Sequence, residues 1–210
     1  MSSAMLPREM QRRYTDADAT ASAPVSYNKA DRTFDAVISM GSPVKRAYGT
    51  EVLQISPQAV DLTRLHEGGI PLLDHHSQAG INSMLGRLTD AWFERGALIG
   101  RFKFNATPEG QKAEGMVARG EVTGISAGYR VEEWSVTDED GAAVDERDVR
   151  WDDDLTFTAT RWQLFEASLV GVPADASAAI RSMTSANVIE DVRARMRARH
   201  SIVMGHRRHE

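Results

Sequence analysis

Between Thr33 and Val170 the chain is mainly a succession of short runs in which apolar and polar residues alternate. A period of two admits few solutions other than strands with one buried face. "TFDAVISM" sets Phe34, Ala36, Ile38 and Met40 on one side. "EVLQIS" is a second short run. "IPLLDHH" is apolar and then abruptly polar, the pattern of a buried strand that delivers its C-terminal side chains to a site. "GRLTDAWFERGALIGRFKF" follows, with "ERG" as a hairpin turn. "EVTGISAGYRVEEW" and "TFTATRWQLFEASLV" complete the strand-like runs.

Helical signals are fewer. Pro57 opens a helical turn through "QAVDLTRLHEGG", closed by Gly68 and Gly69. "NATPEGQKAEGMVARG" carries a complete helix start: Thr107 as cap, Pro108 in the first turn and Glu109 at the positive end of the dipole. Ala113, Met116 and Val117 share a face, and Gly120 stops the helix. Residues 138–154 are acidic and turn-rich, an expected long loop. Residues 1–28 have little apolar period and read as a mobile arm. Residues 183–210 read as a helix ending in a basic, His-containing tail. One compact domain over residues 29–182 is therefore expected, with an arm at each end.

Composition narrows the chemistry. The 210 residues include no cysteine, which removes disulfides, thiolate nucleophiles and Cys-ligated zinc. A formal net charge of −5 gives no reason to expect nucleic acid as the partner. No apolar stretch approaches the roughly 20 residues of a bilayer span, and "MSSAMLPREMQRR" lacks a signal-peptide core. Neither a membrane nor a cofactor is expected.

Three constellations carry possible chemistry. Gly124-Ile125-Ser126-Ala127-Gly128 has the Gly-x-Ser-x-Gly spelling of an activated serine, but two glycines beside a serine also mark a bulge or a close strand crossing. An α/β-hydrolase elbow needs a helix after the serine and its acid and histidine further on. Here the helix comes first, and "YRVEEWSV" is extended. Asp74-His75-His76 also spells the signature of metal-dependent phosphoesterases, for which "TDADAT" supplies Asp16 and Asp18. Those aspartates fall in the arm, and no glycine-histidine cluster follows, so no metal is expected. Glu166 interrupts an apolar run. A carboxylate there either points outward by alternation or has a partner, such as a histidine that it orients.

In this order the pieces resemble the prohead proteases of tailed bacteriophages. "PLLDHH", the Gly-Arg hairpin "LGRLTDAWFERGALIGRFKF", the helix leading into "GISAGY", and "EASLVGVPADASA" fall in register over about residues 33–182. The family is in turn distantly similar to the herpesvirus assemblins. The resemblance implies an α+β, mostly β fold: a small assemblin-like antiparallel β-barrel flanked by helices. It implies a serine endopeptidase with Ser126 as nucleophile, His75 as general base, His76 as the alternative base, and Glu166 as the third member. Where assemblins carry an arginine pair for the oxyanion hole, this chain has Pro173 and Ala174. Arg87, Arg161 or backbone N–H groups near Gly124 and Gly128 are then the candidates for oxyanion stabilisation or support.

The same resemblance implies a partner, the major capsid protein precursor with its scaffolding segment, cut inside the immature capsid in the host cytoplasm. It also implies action on the chain itself and a homodimer. The rivals are a non-catalytic assembly scaffold of the same fold and the phosphoesterase built on Asp74, His75 and His76.

Overall fold

The computed structural model describes residues 11–12, 26–145, 147–150, 154–172, 175 and 178–180. The expected C-terminal helix over 183–210 and most of the N-terminal arm lie outside them. Among the described residues the chain forms ten strands and two α-helices, a mostly β domain as the alternation predicts.

The strands are β1 (Gln11–Arg12), β2 (Thr33–Ser39), β3 (Val44–Arg46), β4 (Gly49–Leu53), β5 (Val60–Asp61), β6 (Ile70–Asp74), β7 (Met84–Glu94), β8 (Ala97–Phe104), β9 (Gly124–Thr137) and β10 (Thr156–Val170). The helices are α1 (Thr63–Glu67) and α2 (Pro108–Ala118). The main sheet runs β1-β9-β10-β6-β7-β8-β2. Residues 178–180 link its far ends: Ala36 bridges Ile180 and Gly124 bridges Ala179, so the sheet curls on itself.

β10 is the spine. One edge pairs antiparallel with β9 along almost its whole length. The other takes β4, β5 and β6 in succession, all parallel. The sheet is therefore mixed rather than antiparallel throughout. That parallel pairing sets the C-terminal ends of β6 and β10 side by side, and antiparallel β9 brings its N-terminal residues to the same end. The segments with His75–His76, Glu166–Ser168 and Ser126 meet there.

Local chemistry explains the elements. The β7–β8 hairpin closes with Glu94 opposite Ala97. Its two loop residues, Arg95 and Gly96, have φ of 50° and 79°, the backbone of a tight turn that follows the strand twist. At α2 the Thr107 hydroxyl accepts from the Gly110 N–H at 3.2 Å, and the helix buries Gly110, Ala113 and Val117. The stretch after Pro57 is only half helical. Val60 is drawn into a parallel pair with Trp162, which leaves α1 confined to Thr63–Glu67.

The core lies inside the curl, where Phe34, Phe102, Phe104, Val117, Ile125, Tyr129, Trp162 and Leu164 are all buried. Asp175, also buried, accepts from the Ser39 hydroxyl at 3.1 Å and the Met40 N–H at 2.9 Å, tying the segment after β10 to β2.

Candidate active site

Strict alternation along β10 would turn Glu166 into the core with Trp162 and Leu164. A bulge prevents this. Leu164 pairs with Tyr129 and Glu166 with Gly128, so Phe165 is an extra residue on the β10 side. Past the bulge the alternation flips: Ala167 and Leu169 join the core, while Glu166 and Ser168 turn to the opposite face. Phe165 is itself held between two cations, Arg64 at 4.5 Å and Arg130 at 4.7 Å from the ring centre.

Register then assembles the site. Ser168 lies opposite Ser126 and Glu166 opposite Gly128, so the four positions share one face of the β9–β10 pair. Gly128 is required by space. A Cβ there would sit 2.1 Å from Glu166 Oε1, so the missing side chain is the carboxylate's berth. Gly124 faces Val170 at the start of β9 and contributes the bridge to Ala179.

The histidines come from the turn that ends β6. The Ser77 N–H donates to the Asp74 carbonyl at 2.8 Å, and His75 and His76 between them have φ of 48° and 61°. Two consecutive left-handed residues other than glycine are costly, and such strain gathers at functional sites. The turn sends the two rings in different directions. His75 is exposed, tied to β10 by its backbone N–H on the Leu169 carbonyl at 3.1 Å. His76 is 4% exposed and folds under the turn, where Nδ1 lies 2.6 Å from Glu166 Oε1.

Ser168 completes the arrangement. Its hydroxyl accepts from the His76 backbone N–H at 3.0 Å and donates to Glu166 Oε2 at 2.7 Å. One side chain thus fixes both the strained turn and the carboxylate. Sequence reading passed over it, although the spacing Glu-x-Ser on a strand already puts the two on one face. Ser126 is 1% exposed.

The remaining candidates are spread out. Arg87, on β7 opposite Pro71, is exposed and lines an open groove of about 1100 Å³. Leu73, Ile81, Met84, Phe165 and Glu166 also line it, and Ile81 and Met84 present apolar surface to solvent. Arg161 lies further back along β10, paired with Glu132 at 2.7 Å, and is not brought to Ser126. Asp74 is exposed, and Asp16 and Asp18 lie outside the described residues.

On the core side of β9 a second polar cluster backs the site. Buried Glu51 accepts from the Tyr129 hydroxyl and, at 2.5 Å, from the Tyr48 hydroxyl, with Arg46 3.3 Å away. Burial first, and then the Glu51 charge, push the Tyr48 phenol well above its ordinary range. Tyr129 therefore anchors β9 from behind, beside the glycine that makes room for Glu166.

The major capsid protein of Halomonas phage phiHAP-1 is 31% identical over 144 residues, 68% of this chain. The match takes in only 22% of that protein's length. The capsid assembly protease of bacteriophage T4, gp21, aligns in structure over 80% of this chain and 97% of its own, with a TM-score of 0.43 and 14% identity. Residues 22–194 match the family described as Caudovirus prohead serine protease. With most of its length inside that match, the chain belongs to the caudovirus prohead serine protease family.

Proposed function

We propose that Ser126 is the nucleophile of a serine endopeptidase, with His76 as general base and Glu166 as the group that orients it. The observation that carries this reading is the 2.6 Å contact between His76 Nδ1 and Glu166 Oε1 on the face that Ser126 shares. With its Nδ1–H donating a hydrogen bond to Glu166, the imidazole is the tautomer whose Nε2 accepts a proton. His75, which the family resemblance puts first, is exposed and serves as the outer residue of the turn.

The chemistry is acyl transfer. Ser126 Oγ attacks the scissile carbonyl carbon as its proton passes to His76. That proton then goes to the leaving nitrogen as the C–N bond breaks. Water, deprotonated by the same imidazole, cleaves the ester and regenerates the hydroxyl. Glu166 stays ionised throughout and stabilises the imidazolium. Ser168 acts as a positioning residue. The groove lined by Leu73, Ile81, Met84 and Phe165 takes substrate side chains.

The substrate in this reading is the scaffolding segment of the major capsid protein precursor, cut within the procapsid in the host cytoplasm. The chain's own termini are further substrates, and it works as a homodimer. Support comes from the phiHAP-1 relative, a major capsid protein whose aligned stretch overlaps the residues of this chain that carry the protease-family match. That combination is the arrangement of a protease joined to its substrate.

The test is labelling by a fluorophosphonate in the presence of the capsid precursor. Labelling of wild type that is lost in Ser126→Ala and His76→Asn but kept in His75→Asn supports the assignment. Labelling lost in His75→Asn and kept in His76→Asn overturns it.

A further inference from the structure

The edge of β9 that faces away from β10 carries other chain on both sides of Ser126. Toward the start of the strand, Gly124 bridges Ala179 and the Ile125 N–H donates to the Ala178 carbonyl at 3.2 Å. Further along, β1 pairs antiparallel with the same edge, Arg12 opposite Gly128 and Gln11 opposite Tyr129. A two-residue strand from a polar arm, more than a hundred residues away in sequence, lies beside the glycine that berths Glu166, two positions along β9 from the serine.

This edge suits an extended peptide. A strand added to an open sheet edge is bound through its backbone, which a protein can do with many sequences. An antiparallel strand beside Gly128 is directed toward Ser126, up to the point where Ala178 and Ala179 take the edge. Ser126 is 1% exposed, so a peptide reaches its hydroxyl only when part of its present surroundings gives way.

We propose that the outer edge of β9 from Ser126 to Tyr129 is the docking edge for an extended peptide, and that the segment holding Gln11–Arg12 is its intramolecular occupant. The proposal rests on Ser126 being the nucleophile only for its functional meaning; the docking itself is read without catalysis. The arm competes with substrate. When it holds the edge most of the time, apparent affinity for an outside peptide falls by the fraction of molecules left open.

The test uses the full chain in a Ser126→Ala background, which keeps the arm intact. Consecutive strand residues direct their N–H groups to opposite sides, so the double variant Gln11→Pro/Arg12→Pro removes the donor facing β9 whichever residue carries it. Hydrogen–deuterium exchange over residues 124–130 is expected to rise roughly tenfold, on the scale of one or two lost backbone hydrogen bonds. Gln11→Gly/Arg12→Gly, which cannot clash, raises it in the same direction by less. A synthetic peptide copying residues 6–18, added in excess to the proline variant, restores the protection saturably.

Unchanged exchange in both double variants overturns the occupant, and failure of the peptide to restore protection overturns the docking edge. Protection that disappears on roughly hundredfold dilution of the parent chain assigns the edge to a second copy's arm and overturns the intramolecular form. None of these readouts depends on activity, so loss of the nucleophile assignment leaves them interpretable.

Discussion

His76 Nδ1 and Glu166 Oε1 stand 2.6 Å apart, joining a strained turn after β6 to a residue that a bulge has turned out of the core. Both side chains are buried, so the pair works in a medium where a charge-assisted hydrogen bond is strong and an unpaired partner is expensive. Of the two adjacent histidines, it is His76 that meets the carboxylate.

The two histidines should therefore differ sharply on mutation. His76→Asn lowers kcat/KM for the precursor by roughly a thousandfold or more, as loss of a triad base does. His75→Asn leaves it within a few-fold, because asparagine tolerates a positive φ and the exposed ring stands outside the His76–Glu166 pair. Kinetics on purified variants, with melting curves to confirm folding, check both halves.

Ser168→Ala removes one hydrogen bond to the Glu166 carboxylate and the acceptor of the His76 N–H. Stability should fall by about 1–3 kcal/mol, the cost of leaving buried polar groups unmatched. Activity should fall through kcat rather than KM, since the turn loses one of its ties to β10 and keeps the His75 N–H on the Leu169 carbonyl. Ser168→Thr, which keeps the hydroxyl, should recover part of both.

Gly128→Ala introduces a Cβ 2.1 Å from Glu166 Oε1 and forces the carboxylate away from His76. The expected result is a near-inactive enzyme with Ser126, His76 and Glu166 all present, destabilised by about 1–3 kcal/mol. Gly96→Ala, which has open space around the new Cβ and only turn strain to bear, provides the contrast: reduced stability with activity retained.

The cluster behind β9 predicts an alkaline limit. Tyr48 has its folded pKa raised above the ordinary value of 10.0, first by burial and then by the charge of Glu51. Its contribution is fully present below pH 10 and is lost as pH rises toward the folded pKa, because the unfolded state releases the phenolic proton first. Denaturation of wild type and Tyr48→Phe should show wild type more stable at neutral pH and the gap narrowing above pH 10.

Much of this molecule is visible in its sequence. The alternating runs gave the strands of the hairpin and of β9 and β10, and Thr107-Pro108-Glu109 marked α2 to the residue. The parallel pairing of β10 with β4, β5 and β6 was not visible, because alternation reports which face is buried and says nothing of strand direction. That His76 rather than His75 would meet Glu166 was hidden for a related reason. It depends on a left-handed turn that reverses the expected facing of the last strand residues, and left-handed backbone at histidine has little sequence signature. Glu166 was recognisable as anomalous from its apolar neighbours, but the Phe165 bulge that explains it follows from the pairing with β9 and has no local marker.

The central claim is that Ser126, activated by His76 and Glu166, cuts the capsid precursor. The direct measurement is intact mass of the precursor after co-expression with the chain as wild type, Ser126→Ala and His76→Asn. The account predicts a truncated precursor with wild type alone and full-length precursor with both variants, all three chains remaining folded. Precursor cut as well by Ser126→Ala as by wild type, or left whole by all three in particles that mature normally, would contradict it.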